Sequence, residues 1–277
     1  VLPDAGYVYG DVIGRGGMGE VIGAEDKRIG RPVALKRMKG KQPSANAITR
    51  FLREARIQAR LDHPAIVPVH ELGVDEAGRP FFTMKRLAGV TLADKLAQKG
   101  PVQPLLRTFI DVCLAIQFAH ARGVVHRDLK PSNIMVGDYG EVYVLDWGVA
   151  RIVDREPRER MSSADIDSLD EGTQTGDLLG TPGYMSPEQV RGQDIQPASD
   201  VYALGTILFE ILAREPLHPR GTAALASTLS TPQQPPAQRR ADTPPELDVA
   251  CTAALAEDPA ARPTARELAD RVQHYLD

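Results

Sequence analysis

The sequence predicts an α+β chain of two lobes, strands first and helices second. Three observations carry that expectation. Up to about residue 87, short apolar segments alternate with glycine-rich and charged turns around a single helical stretch. From about residue 88 onward, helical periodicity dominates. The 277 residues suffice for two lobes with a substantial core, and no internal repeat divides them otherwise. A strand-rich lobe joined to a helical one suggests a cleft between them.

Each element has its own signal. "YVYGDVIGRG" and "GEVIGAED" are apolar segments around a glycine cluster, and "RPVALKRM" follows a turn, so three strands open the chain. In "SANAITRFLREARIQARL", Ile48, Phe51, Leu52, Ala55, Ile57 and Ala59 fall at helical spacing. His63-Pro64 ends that helix, because a proline ring opposes the helical conformation in the residue before it. "AIVPVHELGV" and "RPFFTMKRLA" read as two further strands joined by "DEAGR". "TLADKLAQKG" is a helix with a Thr91 cap and a stop at Gly100, and "VQPLLRTFIDVCLAIQFAHARG" is a long helix apolar on one face. "NIMVG" and "EVYVL" form a hairpin around "DYG". From Asp154 to Gly176, ten Asp, Glu and Arg residues with few large apolar ones read as an exposed loop. "SDVYALGTILFEILA" is a strongly apolar helix, "TPQQPPAQRRADTPP" a proline-rich connector, and "PELDVACTAALA" and "TARELADRVQHYL" closing amphipathic helices.

Composition narrows the class. Apolar residues make up 42% and charged residues 25%, as in a soluble globular protein. A net charge of −4 offers no basic field for nucleic acid. Cys113 and Cys251 lie far apart, and the apolar helical setting of Cys113 favours a buried thiol over a disulfide or metal ligand, which suits a reducing, cytoplasmic compartment. No apolar run approaches the roughly 18 residues that span a bilayer, and no signal peptide is visible, so no membrane contact is expected within this segment. The chain begins at Val1 without a methionine, so the expectation includes a cytoplasmic domain excised from a larger, membrane-anchored protein.

Four motifs carry chemistry. "GRGGMGEV" places Gly14, Gly16 and Gly19 in a G-x-G-x-x-G-x-V pattern that lets backbone N–H groups approach phosphate oxygens. Dinucleotide sites share that pattern but need a helix directly afterwards; here a returning strand follows, and the residue 17 positions after Gly19 is the cation Lys36. Lys36 alone reads first as a surface lysine with its stem on apolar neighbours. With Glu54 on the next helix it can form an ion pair that aims the ammonium at phosphates. "HRDLKPSN" offers Asp128, Lys130 and Asn133 in one loop: an acceptor for a hydroxyl proton, a cation and an oxygen ligand for Mg²⁺, the set phosphoryl transfer requires. "DWG" puts Asp146 13 residues after Asn133, across a hairpin that returns it to the same place. "GTPGYMSPE" follows the polar loop.

These motifs, in this order and over about Tyr9 to Leu276, resemble a Hanks-type serine/threonine protein kinase of the bacterial eukaryotic-like branch. The resemblance implies a bilobal kinase fold as a single domain over 1–277, with an N-lobe of about 1–87 carrying helix C and a mostly helical C-lobe of about 88–277. It implies ATP and Mg²⁺ as cofactors. Ile13, Gly14, Arg15, Gly16, Gly17, Met18, Gly19, Glu20 and Val21 would cover the nucleotide. Val21, Ala34 and Met135 would sandwich adenine, with Met84 before a hinge of Lys85, Arg86 and Leu87. Lys36 would orient the α- and β-phosphates, paired with Glu54. Asp128 would be the catalytic base, Lys130 would sit by the γ-phosphate, and Asn133 and Asp146 would hold Mg²⁺. Thr181 would line the acceptor site, Glu188 would pair with Arg262, and Asp200 would brace the catalytic loop. Thr173 and Thr175 stand where kinases of this group autophosphorylate, and Arg127 before the catalytic aspartate marks control by loop phosphate. Expected partners are proteins with serine or threonine acceptors, and a homodimer for trans-autophosphorylation.

Three features depart from that pattern: Trp147 replaces the usual phenylalanine, the polar loop is long, and the first hinge residue is the cation Lys85. Trp147 raises two alternatives. Its indole N–H could bond the amide oxygen of Gln58, which stands where the family has an apolar contact for that ring. Otherwise it finds a carbonyl or water while Gln58 points to solvent. Two rival functions remain beside the active protein kinase: a pseudokinase or nucleotide-binding scaffold, prompted by Trp147, and a small-molecule kinase, which leaves "GTPGYMSPE" unexplained.

Overall fold

Short apolar segments separated by turn residues form a five-stranded antiparallel sheet in the order β1 (Tyr7–Arg15), β2 (Gly19–Asp26), β3 (Arg31–Met38), β5 (Pro80–Lys85), β4 (Val69–Val74). The computed structural model describes residues 6–16, 19–40, 43–75, 78–153, 180–230 and 232–277. They fall into two units: one drawn from Val1–Asp62 and Ile66–Ala88, the other from His63–Ala65, Gly89–Pro157 and Gln174–Asp277.

In the first unit, register aligns Val21 with Lys36, Glu20 with Arg37, and Ala34 with Met84. Helix α1 (Ala45–Arg60) starts where the Ser44 hydroxyl accepts from the Ala47 N–H at 3.3 Å. Its inner face buries Phe51, Glu54, Ala55, Ile57 and Gln58. Phe51 meets Phe82 of β5 at 5.2 Å between ring centroids, and Met38 and Ala55 complete that cluster. The strand expected over "AIVPVHELGV" is shorter than its apolar run: β4 begins at Val69, after Pro68, which has no N–H for a ladder.

The second unit opens with β6 (Val90–Thr91) and α2 (Leu92–Ala97), where Thr91 and Asp94 form a reciprocal capping box. Helix α3 (Val102–His120) follows, then β7 (Val124–Val125) and the hairpin of β8 (Ile134–Val136) and β9 (Val142–Val144). β10 (Arg151–Ile152) pairs with β7. After the segment 154–179 come α4 (Pro187–Val190), α5 (Pro197–Ala213), α6 (Ala223–Leu229), α7 (Pro236–Arg239), α8 (Pro245–Ala254) and α9 (Ala265–Leu276). The proline-rich connector therefore contains one helical turn, α7, begun by Pro236 at its first position. Helix α5 is apolar nearly all round and correspondingly buried. A Cβ on its Gly205 would stand 3.0 Å from both Ala254 Cβ and Leu255 Cδ2, so glycine lets α5 approach α8 closely.

Helix α3 corrects the reading of membrane-crossing potential. It is 19 residues long with a mean hydropathy of 1.3, enough by length and composition to cross a bilayer. Arg107 and Asp111 interrupt the run in sequence, which hides this from a count of consecutive apolar residues. Leu106, Phe109, Val112, Cys113 and Ile116 are fully buried, as in a core helix, and α3 packs against α5 and α9. The polar loop from Asp154 to Gly176, with Thr173 and Thr175, and the glycine-turn residues Gly17 and Met18 lie outside the described residues.

Candidate active site

In the first unit, β3 and the inner face of α1 bring Lys36 to Glu54. The Lys36 ammonium donates to Glu54 Oε1, with side-chain exposures of 14% and 2%. The Lys36 ammonium also lies 5.9 Å from the Phe82 ring centroid. The described residues on either side of the glycine turn lie close to β3 and to the residue after it. Gly19 is required because a Cβ there would stand 2.5 Å from the Arg37 carbonyl oxygen. Arg37 donates through Nε to Glu20 Oε1 at 2.8 Å, a bond that holds the Glu20 carboxyl below the usual glutamate value. Lys39 donates to the Gly16 carbonyl at 2.8 Å. Ile13 and Arg15 are exposed, Gly14 and Val21 half-buried, and Ala34 buried. Met84 and Leu87 are half-buried, while Lys85 and Arg86 are exposed.

In the second unit, the loop after β7 gathers the other residues. Asp128 Oδ2 accepts from Lys130 Nζ at 2.8 Å, and Asp128 Oδ1 accepts from the Thr181 hydroxyl at 2.6 Å. Lys130 Nζ also donates to Thr181 Oγ1 at 2.6 Å, so one hydroxyl sits between a carboxylate and an ammonium. The Asn133 amide nitrogen donates to the Asp128 carbonyl at 2.9 Å, which leaves its oxygen as the atom able to meet a cation. The β8–β9 hairpin aligns Ile134 with Val144, and the Leu145 N–H donates to the Asn133 carbonyl at 2.8 Å. Asp146, the next residue, is thereby brought beside Asn133, exposed and at a φ of 61°. Met135 is half-buried in β8.

Two amide and carboxylate oxygens are hard donors that suit Mg²⁺. Among the described residues no group of three or more His, Cys, Asp or Glu could hold a metal alone. A cation at Asn133 and Asp146 would therefore complete its shell with phosphate oxygens and water, the ordinary habit of Mg²⁺.

The loop backbone is held from α5. Asp200 accepts from the His126 and Arg127 N–H groups at 2.8 Å each, and from His120 Nε2 at 2.8 Å. Burial pushes the Asp200 carboxyl up, but these donors and the nearby histidines outweigh it and hold it below the usual aspartate value. That support maintains Arg127 at a φ of 73°, a left-handed conformation that costs a non-glycine residue about 1–2 kcal/mol. Glu188 and Arg262 form a buried two-pronged pair, Arg262 Nη1 to Glu188 Oε1 at 2.7 Å and Nη2 to Oε2 at 2.9 Å. Burial raises the Glu188 carboxyl, and the Arg262 bonds and charge bring it below its ordinary value.

Trp147 finds a carbonyl, as the second alternative has it, but the Gln58 half of that alternative does not hold. The indole N–H donates to the Val144 carbonyl at 3.4 Å, and the ring meets His126 at 4.7 Å between centroids. Gln58 does not point to solvent: it is buried and uses its NH₂ group, donating to the Val67 carbonyl at 2.7 Å. Each side chain thus has a backbone partner within its own unit. Sequence reasoning also passed over residues that matter here. His126 has no evident role in the sequence, yet its ring Nδ1 accepts from the Asp128 N–H at 3.3 Å. Gln189 shows itself in sequence only through the S-x-x-Q spacing of a capping box with Ser186.

A carboxylate and an ammonium meeting at one hydroxyl, with a side-chain amide beside them, are groups that phosphoryl transfer can use. Comparison with known families makes the class particular: residues 7–274 match the protein kinase domain, and the chain belongs to that family. It is 38% identical over 263 residues to the serine/threonine-protein kinase PknB of Mycolicibacterium smegmatis, covering 91% of this chain and 40% of that protein. It is 39% identical over 228 residues to the serine/threonine-protein kinase PknD of Protochlamydia amoebophila, covering 76% and 23%. The chain thus spans about 40% of the length of the PknB relative. Among solved structures, the PknI kinase domain of Mycobacterium tuberculosis matches with a TM-score of 0.69 at 26% identity, over 99% of this chain and 97% of that one. The domain accordingly has the α+β architecture of the protein kinase family. That family generally uses ATP and a divalent metal.

Proposed function

We propose that this domain transfers the γ-phosphate of ATP to serine and threonine hydroxyls of protein substrates. The observation that supports it best is the Thr181 hydroxyl held between Asp128 and Lys130, because an acceptor alcohol needs the same two neighbours. An acceptor hydroxyl there gives its proton to Asp128 as its oxygen attacks the γ-phosphorus. The bond from that phosphorus to the β–γ bridging oxygen breaks, and ADP leaves. Lys130 offsets charge on the transferring group, and Lys36, oriented by Glu54, holds the α- and β-phosphates. Asn133 and Asp146 are the proposed Mg²⁺ ligands; Mg²⁺, when bound, neutralises phosphate charge. Ile13 to Val21 are the proposed cover of the phosphates. Val21, Ala34, Met84, Lys85, Leu87 and Met135 are the proposed adenine contacts, with backbone groups rather than the Lys85 side chain reading the base.

Regulation and setting belong to the same proposal. Thr173 and Thr175 are the proposed autophosphorylation sites, modified in trans within a homodimer, with Arg127 as partner for the new charge. A cytoplasmic location is supported by two free, buried cysteines, whose thiols burial pushes up and keeps unreactive.

Incubation with labelled Mg-ATP and a generic basic protein, read also by mass spectrometry, tests this reading. Asp128→Asn should lower turnover by roughly 10²–10⁴-fold, and Lys36→Met should remove most turnover while leaving the fold intact. An Asp128→Asn variant within tenfold of the parent would refute the assignment of the base. Nucleotide binding without transfer in the parent would favour a scaffold, and phosphorylation of small alcohols alone a small-molecule kinase. Phosphate confined to sites outside residues 162–181 would refute the loop sites.

A further inference from the structure

We infer that Gln189 is a positioning residue for Asp128, holding the peptide unit directly before it; the inference rests on the phosphotransfer reading of Asp128. Gln189 lies on α4, is 7% exposed, and donates through Nε2 to the Arg127 carbonyl at 2.9 Å. Which end of its amide faces that carbonyl is settled by the other end. Gln189 Oε1 accepts from the Ser186 N–H at 3.0 Å and from the Ser186 hydroxyl at 3.2 Å. A backbone N–H can only donate, so the oxygen must face Ser186 and the NH₂ group must face Arg127.

The consequence is mechanical. The Arg127 carbonyl and the Asp128 N–H belong to one planar peptide unit. Gln189 holds that unit by its carbonyl, and His126 Nδ1 accepts from its N–H at 3.3 Å. Asp200 holds the preceding unit through the Arg127 N–H at 2.8 Å. With both units fixed and Arg127 at a φ of 73°, the direction of the Asp128 side chain is set from the backbone. The space around the clamp is tight as well. Gly180 has a φ of 124°, and a Cβ on it would stand 3.2 Å from the Arg127 carbonyl oxygen and 3.5 Å from Gln189 Nε2. Thr181, whose hydroxyl bonds Asp128, is the next residue. Gln189 therefore ties the 180–190 segment to the loop at the residue before the base. Glu188 next to it anchors the same turn to Arg262, so the clamp stands on a rigid support.

Two variants of the 277-residue chain test this. Gln189→Glu is isosteric and keeps an acceptor for Ser186, but sets an oxygen against the Arg127 carbonyl. Gln189→Met keeps the volume and removes all three side-chain bonds. Both should lower kcat about tenfold or more while KM for ATP stays within about twofold, the signature of a misplaced base rather than a lost nucleotide site. Amide hydrogen exchange gives a reading independent of turnover. Exchange at the Asp128 amide should quicken about tenfold or more in both variants, while α9 amides keep the parent rate. Parent-like kcat per folded molecule in both variants overturns the positioning role. Parent-like exchange at Asp128 overturns the clamp, even where the parent transfers no phosphate and the phosphotransfer reading itself has failed. A kcat loss confined to molecules that are also globally destabilised, with α9 exchange equally quickened, overturns it in favour of a purely structural residue.

Discussion

Trp147 and Gln58 illustrate how a buried polar side chain chooses among partners. An indole has one donor, and its 3.4 Å bond to the Val144 carbonyl is longer than the usual range of about 2.7–3.2 Å. Gln58 donates to Val67 at 2.7 Å, so Gln58→Leu leaves a carbonyl without that donor and should cost about 1–3 kcal/mol. Trp147→Phe gives up a weak bond and some packing volume and should cost less. Because each residue has its own carbonyl, the two losses should add to within about 0.5 kcal/mol in a double-mutant cycle followed by urea unfolding. A coupling energy above about 1 kcal/mol would show that the two side chains share a partner after all.

At the scale of elements, the ion pair between α4 and the turn before α9 does more than join two charges. Arg262 donates to both Glu188 oxygens and to the carbonyls of Ala198, Ala256 and Glu257, and Ser199 donates to Glu188 Oε1 at 2.7 Å. With side-chain exposures of 0% and 6%, neither charge has water to fall back on. Arg262→Met should therefore lower unfolding free energy by about 3–5 kcal/mol, since it strands a buried carboxylate. A loss below about 1 kcal/mol in chemical denaturation would contradict that account. Elements such as β2, β3 and α1 were legible in sequence because apolar segments bounded by turn residues mark the strands, and helical spacing marks the buried face of α1. β6, β7 and β10 were not, since two-residue strands have no period to read, and neither was α6, Ala223–Leu229. The site divided along the same line. Asp128, Lys130 and Asn133 sit in one octet and show themselves, whereas Gln189 acts on Arg127 from 62 positions away through a backbone carbonyl, which no local pattern encodes.

Across the whole molecule, pH reads out the balance of its buried groups, and His218 should set the first response to acid. His218 is 3% exposed, between the Tyr202 hydroxyl at 3.1 Å and the Ser227 hydroxyl at 2.9 Å. Burial, and then the charge of Arg239, lower its pKa from 6.5 to about 4. Unfolded, the same imidazole takes up a proton near pH 6.5, so between about 6.5 and 4 the unfolded chain binds more protons. The stability it contributes is complete above pH 6.5 and is lost as pH falls through that window, by about 3 kcal/mol from this group. His63 and His70, also lowered mainly by burial, act in the same direction from more open positions. Asp111 and Glu210 are raised by burial and act in the opposite direction, because their folded forms hold protons longer. Asp200 and Glu188, held below their ordinary values, lose their contribution only in more acid solution, below about pH 4. His218→Gln removes the titration while leaving an amide able to meet both hydroxyls. Urea unfolding between pH 7 and pH 4 should therefore show a stability slope in the parent that flattens in His218→Gln by the share of one proton. An unchanged slope in the variant would assign the acid response to other groups and deny His218 its neutral, buried state.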